Sequence, residues 1–174
     1  MLMRVALTEP EGRICTWVGN QRAAFRIAHG LNNGAGRRAL EEREILGAHG
    51  EYATSIGVNL YWRPTIGDRR GVDVGGLVEV RATDLVNGRL VVKPDDKDYP
   101  FVLAIGDTRR RMFDIVGWMD AAQAKANYPL TQGQFDPCHY VPQDDLRPME
   151  ELLVLIHRAP PANDNEPQRW RLRI

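Results

Sequence analysis

The sequence predicts an α/β domain, a central mixed β-sheet flanked by helices. Two patterns predict it. The first third carries apolar residues at helical spacing, and the middle is a series of short β-rich segments cut by Gly, Asp and Pro. Length agrees: 174 residues, 43% hydrophobic and 26% charged, suit one domain that buries about two-thirds of its unfolded surface. Helices first, adjacent strands next and a helix after them is the order of a sheet with helical cover.

The elements follow in order. Residues 13–30 hold Ile14, Trp17, Val18, Ala24, Phe25 and Ala28 near helical spacing, and the Gly/Asn run at 30–36 stops that helix. A second helix is predicted over 37–56 on the stripe Ile45, Ala48, Tyr52 and Ile56. Gly47 and Gly50 inside it each cost about 1 kcal/mol against alanine, so either something packs close to them or the helix starts later. Strands are predicted at 58–62, 70–74, 77–81, 89–93, 101–105 and 113–118. A helix follows over 119–126, started at Asp120, and a last strand at 138–141. Tyr61, Trp62 and Trp118 read as core residues. The organisation is a helical segment at 1–36 packed on the core, an α/β core at 37–158, and a Pro/Asn-rich linker with a basic arm at 159–174. In that arm Arg169, Arg171 and Arg173 alternate with Trp170, Leu172 and Ile174, as in an edge strand or a contact arm.

Composition excludes several classes. Lys+Arg and Asp+Glu both number 23, so any grip on nucleic acid is a local patch rather than a global field. Two cysteines, Cys15 and Cys138, make neither a disulfide framework nor a zinc site, and the histidines lack ligand spacing. The longest aliphatic run, Leu152–Ile156, is far below the roughly 20 residues of a membrane span. The first residues lack a signal-peptide core, which gives the expectation of a cytosolic protein. A nucleotide-phosphate loop and a nucleophile elbow are also missing from the sequence.

The chemistry gathers on acids. Glu51 lies in the second helix, and Asp73 and Glu79 flank a glycine pair in GVDVGGLVEVRA. Glu79 and Arg81, two apart on one strand, share a face. Asp73 joins them only if the turn has the right length. A two-residue turn at Gly75–Gly76 sends Asp73 to the opposite face. A turn over Gly75–Leu77, or a bulge, sets it across from Glu79 with Cβ atoms about 4.5–5.5 Å apart. Carboxylates so close repel, and a divalent cation such as magnesium or manganese resolves the repulsion. Such a metal polarises a phosphoryl oxygen and activates water, and Arg81 beside it stabilises developing charge. Lys93, on the next strand, is a second candidate cation.

In that order the residues resemble a family. GAHGEYATSIGV, then GVDVGGLVEVRAT, then RLVVKPDD is similar to the core of the PD-(D/E)xK, or restriction-endonuclease-like, nucleases. Segments FDIVGWMDAAQAK and CHYVPQDDLRPM resemble the tails of small phage and prophage proteins, and the likeness spans about residues 38–150. It implies a restriction-endonuclease-like core and a Mg²⁺- or Mn²⁺-dependent phosphodiester hydrolase acting on DNA in a bacterial host cell, compatible with a homodimer. It matches Asp73 and Glu79 to the metal ligands and Glu51 to the helix carboxylate, which binds the metal through water or orients it. Arg81 stands where the family has Lys, and Val72 where the motif has Pro.

That arginine motivates a second reading, a binding module on the same fold without catalysis, and the Arg/Trp-rich tail motivates a third, a phage structural or host-interaction protein. Arginine pairs at 37–38 and 69–70 and the triplet at 109–111 could hold a phosphate backbone; Arg69, Arg70, Arg109, Arg110 and Lys93 are the candidates. A solvated loop is the more usual account of such a charge run. Likewise Asp73 could be a turn acid, Glu79 and Arg81 a surface charge set, and Asp95, Asp96 and Asp98 a solvated turn.

Overall fold

The first helix, α1 (Glu9–Ala28), begins four residues earlier than the apolar pattern suggests, because Thr8 caps it. The Thr8 backbone N–H donates to the Glu11 carboxylate at 2.6 Å, and Pro10 supplies a preset φ in the first turn. The computed structural model describes residues 2–31, 36–67, 71–132 and 136–158. Arg69, Arg70 and the arm at 159–174 lie outside them.

Helix α2 (Arg37–Val58) lies against α1 and runs two residues past its expected end. Small residues set the approach: a Cβ on Gly19 of α1 would sit 2.5 Å from the Ile45 Cα. The buried stripes are rotated from the expected ones. α1 buries Cys15, Val18 and Ala23 and exposes Ile14 and Trp17; α2 buries Ala48, Ala53 and Val58 and exposes Ile56. Gly50 answers one question raised by the sequence, since its Cβ would meet the Ala82 Cβ at 2.6 Å. Gly47 has open space.

Strand β1 (Met3–Ala6), not anticipated from the pattern, joins a four-stranded sheet with β2 (Glu79–Thr83), β4 (Pro100–Asp107) and β5 (Met112–Asp120), in the order β1-β5-β4-β2. The sheet is mixed: β2 is parallel to β4, while β4–β5 and β1–β5 are antiparallel. Alternation divides its faces. Val80, Val102, Ala104 and Ile115 pack with the α2 residues above. Phe101, Leu103 and Met119 pack on a second, three-stranded sheet of β3 (Leu90–Val92), β7 (Pro137–Val141) and β6 (Leu130–Gln132). Helix α3 (Ala121–Asn127) starts after Asp120 as expected, and α4 (Met149–Arg158) buries Met149 and Leu152 against the first core. The layers are helices, mixed sheet and small sheet. Trp118 is fully buried, Trp62 half-buried, and Tyr61 exposed, contrary to its reading as core.

Two expected strands shrink. Residue 58 ends α2, and of 58–62 and 70–74 only single bridges form, Trp62 to Val74 and Val74 to Val78. These bridges make a narrow ribbon that feeds into β2, an edge strand of the sheet. No helix among the described residues is long and apolar enough to cross a membrane.

Candidate active site

The loop after Val74 decides the site. Val74 N–H donates to Val78 O at 3.0 Å and Val78 N–H returns to Val74 O at 3.1 Å. Gly75, Gly76 and Leu77 therefore form a three-residue turn. Gly75 and Gly76 have φ of 59° and 68°, a region that favours glycine. Counting outward from the Val74–Val78 pair puts Asp73 opposite Glu79 on one face. The three-residue turn is thus the alternative that brings the acids together.

Their chemistry shows it. Asp73 Oδ2 accepts the Val80 N–H at 3.0 Å, and its carboxyl group lies beside that of Glu79. Burial first, then the Glu79 charge, pushes Asp73 up to about 7. Burial, with Asp96 and Glu51 nearby, also raises Glu79, although Asp73 and Arg81 oppose this.

Glu51 comes from α2 and is buried at 6% exposure. Arg22 of α1 grips it with both arms, Nη1 to Oε1 at 2.6 Å and Nη2 to Oε2 at 2.8 Å. Trp62 Nε1 donates to Oε2 at 3.0 Å. Burial and the repulsion of Asp73 raise Glu51 to about 7 against these donors. Its two oxygens are thus occupied, which fits an orienting role beside Asp73 better than direct ligation. Arg22 also donates from Nε to Thr65 O at 2.9 Å and feels the Asp73 charge.

Arg81 shares the face of Glu79 but is clamped. Its Nη2 donates to Asp96 Oδ2 at 2.8 Å, its Nε to Val91 O at 3.2 Å, and its guanidinium lies 4.7 Å from the Phe101 ring centre. Asp96, expected in a solvated turn, is a half-buried partner that also caps the Lys93 N–H at 2.8 Å. Arg22, Asp73, Glu79, Arg81 and Asp96 line one cleft of about 340 Å³. Sequence reasoning missed Arg22, Trp62 and Asp96. The signal for Arg22 is faint: one arginine between Gly19 and Ala23, the small residues that let α1 approach α2.

The remaining cations divide. Lys93 lines a neighbouring groove and pairs with Asp136 at 3.3 Å. Arg109 and Arg110 sit in the β4–β5 turn, where their N–H groups bond to Asp107, and neither lines the cleft. Among the described residues no group of three or more His, Cys, Asp or Glu side chains is arranged to hold a metal. Two carboxylates converge instead. That suits magnesium, which keeps several waters and takes one or two protein carboxylates.

A scan against protein-family models found no match, and neither did searches of curated proteins and of solved structures.

Proposed function

We propose that the protein is a metal-dependent phosphodiester hydrolase acting on DNA, or a close relative of one, built on a restriction-endonuclease-like core. One observation carries the reading: Asp73 and Glu79 are held face to face by the Gly75–Leu77 turn, two like charges whose repulsion a divalent cation would relieve. In this reading Asp73 and Glu79 hold Mg²⁺ or Mn²⁺, which when bound supplies Lewis-acid polarisation and an acidified water. Glu51, fixed by Arg22 and Trp62, adds negative charge behind Asp73 and favours cation uptake. Arg81, fixed by Asp96 and Phe101, presents a permanent positive charge on the face where phosphate charge develops.

The test is cleavage of single- and double-stranded DNA and RNA with Mg²⁺ or Mn²⁺. Asp73→Ala and Glu79→Ala are expected to abolish cutting while the thermal transition survives. Variants that cut as well as the parent would move the site elsewhere. A second reading, a binding module without catalysis, draws on the clamped state of Arg81, whose two donor contacts leave it little freedom to follow a reacting phosphate. Binding without cleavage in either metal, unchanged in Arg81→Lys, would favour it.

A further inference from the structure

The acid cleft opens into a larger space. A groove of about 1250 Å³ runs between edge strand β2 and the three-stranded sheet. Groove and cleft share Arg26, Glu44, Glu79, Arg81 and Asp96, so the acids stand in the wall of a continuous channel. The Arg81-to-Val91 bond ties β2 to β3 beneath it. Its rim carries exposed Arg43, Arg89 and Lys97, and among the described residues no carboxylate forms an ion pair with Arg89 or Lys97. Two half-buried aromatics, Tyr99 and Tyr140, line the same groove.

From this we infer that the groove binds single-stranded nucleic acid, carrying the strand past Asp73 and Glu79. The inference deepens the hydrolase reading by naming the form of its substrate. A rim of cations with aromatic rings inside is the arrangement that tracks a backbone while bases stack. The space exceeds the roughly 300–1,000 Å³ of small-ligand pockets, so a polymer segment fits it better than a metabolite. The strand form follows from depth. Asp73 and Glu79 are both half-buried, set back from the surface. A stiff duplex, whose major groove alone is about 12 Å wide, presents its phosphates on a convex outer face. A flexible single strand can bend a phosphate inward. The groove also holds acids, Asp95 and Asp136 among them, so few phosphates are neutralised and binding depends on low salt.

The test is fluorescence anisotropy in EDTA, where cutting does not interfere. Labelled oligo-dT, oligo-U and a duplex, each of about twelve nucleotides, span the usual site sizes. Single strands are expected to bind at least tenfold more tightly than duplex, with oligo-dT against oligo-U separating DNA from RNA. Arg89→Ala/Lys97→Ala should lose about tenfold and flatten the log–log salt dependence by about 0.7 per contact removed, with an unchanged melting temperature. Equal or tighter duplex binding, an unaffected double variant, or no binding at low salt would overturn the inference. The hydrolase reading fails separately: a protein that holds single strands in EDTA yet cuts nothing in Mg²⁺ or Mn²⁺ keeps the groove and loses the chemistry. One that cuts duplex without holding single strands does the reverse.

Discussion

Asp73→Asn should make the protein more stable at alkaline pH and leave it unable to use a metal. The cost of the native acid follows from its surroundings: Asp73 is raised from 3.8 to about 7 by burial and by Glu79. An acid raised in the folded state contributes its full stability below its unfolded value and loses it as pH rises through the folded value. Each pH unit in that window is worth about 1.4 kcal/mol, so ionising native Asp73 at about pH 8 costs at most about 4 kcal/mol. At about pH 5 the corresponding cost is between 1 and 2 kcal/mol, roughly. The parent should therefore lose about 2–3 kcal/mol more than the variant between these two pH values. Asparagine keeps an acceptor for the Val80 N–H and removes the charge facing Glu79. Urea unfolding of both proteins in EDTA reads the difference directly. Adding Mg²⁺ at the higher pH should then recover stability in the parent and not in the variant. Parallel stability–pH curves for the two proteins would show that Asp73 is an ordinary turn acid and that the reasoning fails.

Three further outcomes follow from other contacts. Arg22→Met strands a buried carboxylate between Trp62 and Asp73 and should cost about 3–5 kcal/mol at alkaline pH; because losing Arg22 raises Glu51 further, the loss measured by denaturation should shrink as pH falls towards about 7 and level off below it. Gly47→Ala and Gly50→Ala, three residues apart on α2, should act with opposite signs. Position 47 has open space and should gain about 0.5–1 kcal/mol, while a methyl at 50 lands on Ala82 and should cost about 1–3 kcal/mol, read as shifts in melting temperature. Gly75→Val puts a β-branched residue at φ 59° with its Cβ against Leu60, so the turn that sets Asp73 opposite Glu79 is strained and metal-induced stabilisation should weaken while far-ultraviolet dichroism is retained.

Much of the fold was legible because its elements obey local rules. The α1 and α2 segments, the strands at 90–92, 101–105 and 113–118, and α3 after Asp120 follow helical or alternating periods that burial requires. What failed depends on long-range packing. The faces of α1 and α2 were misjudged because Gly12, Gly19 and Gly50, which carry no hydropathy signal, are where Arg111, Ile45 and Ala82 pack closely. Strand β1 is four residues long and gains its partners from β5, over a hundred positions away. The ribbon at 61–63 and 73–75 is too short for a period to show. At the site, Asp73 and Glu79 were legible as a pair conditional on turn length, since GlyGly marks a turn without fixing its register. Arg22 and Asp96 were not, because each finds its partner across at least fifteen residues.

The two arginines at the acids differ in what they leave free, and that difference shapes the site. Arg22 spends its guanidinium on Glu51 and Thr65, so it fixes the helix carboxylate and reaches Asp73 only through its field. Arg81 lies over the Phe101 ring and is tied to Asp96 and Val91, so its charge stays in place as the neighbouring acids gain or lose protons. Asp73 accepts the Val80 N–H and otherwise faces Glu79. A protein selected for stability alone would replace one of them, since like acids buried together oppose folding at neutral pH. Their placement opposite each other, on a glycine turn that permits this register, is what the proposed cation-holding pair rests on.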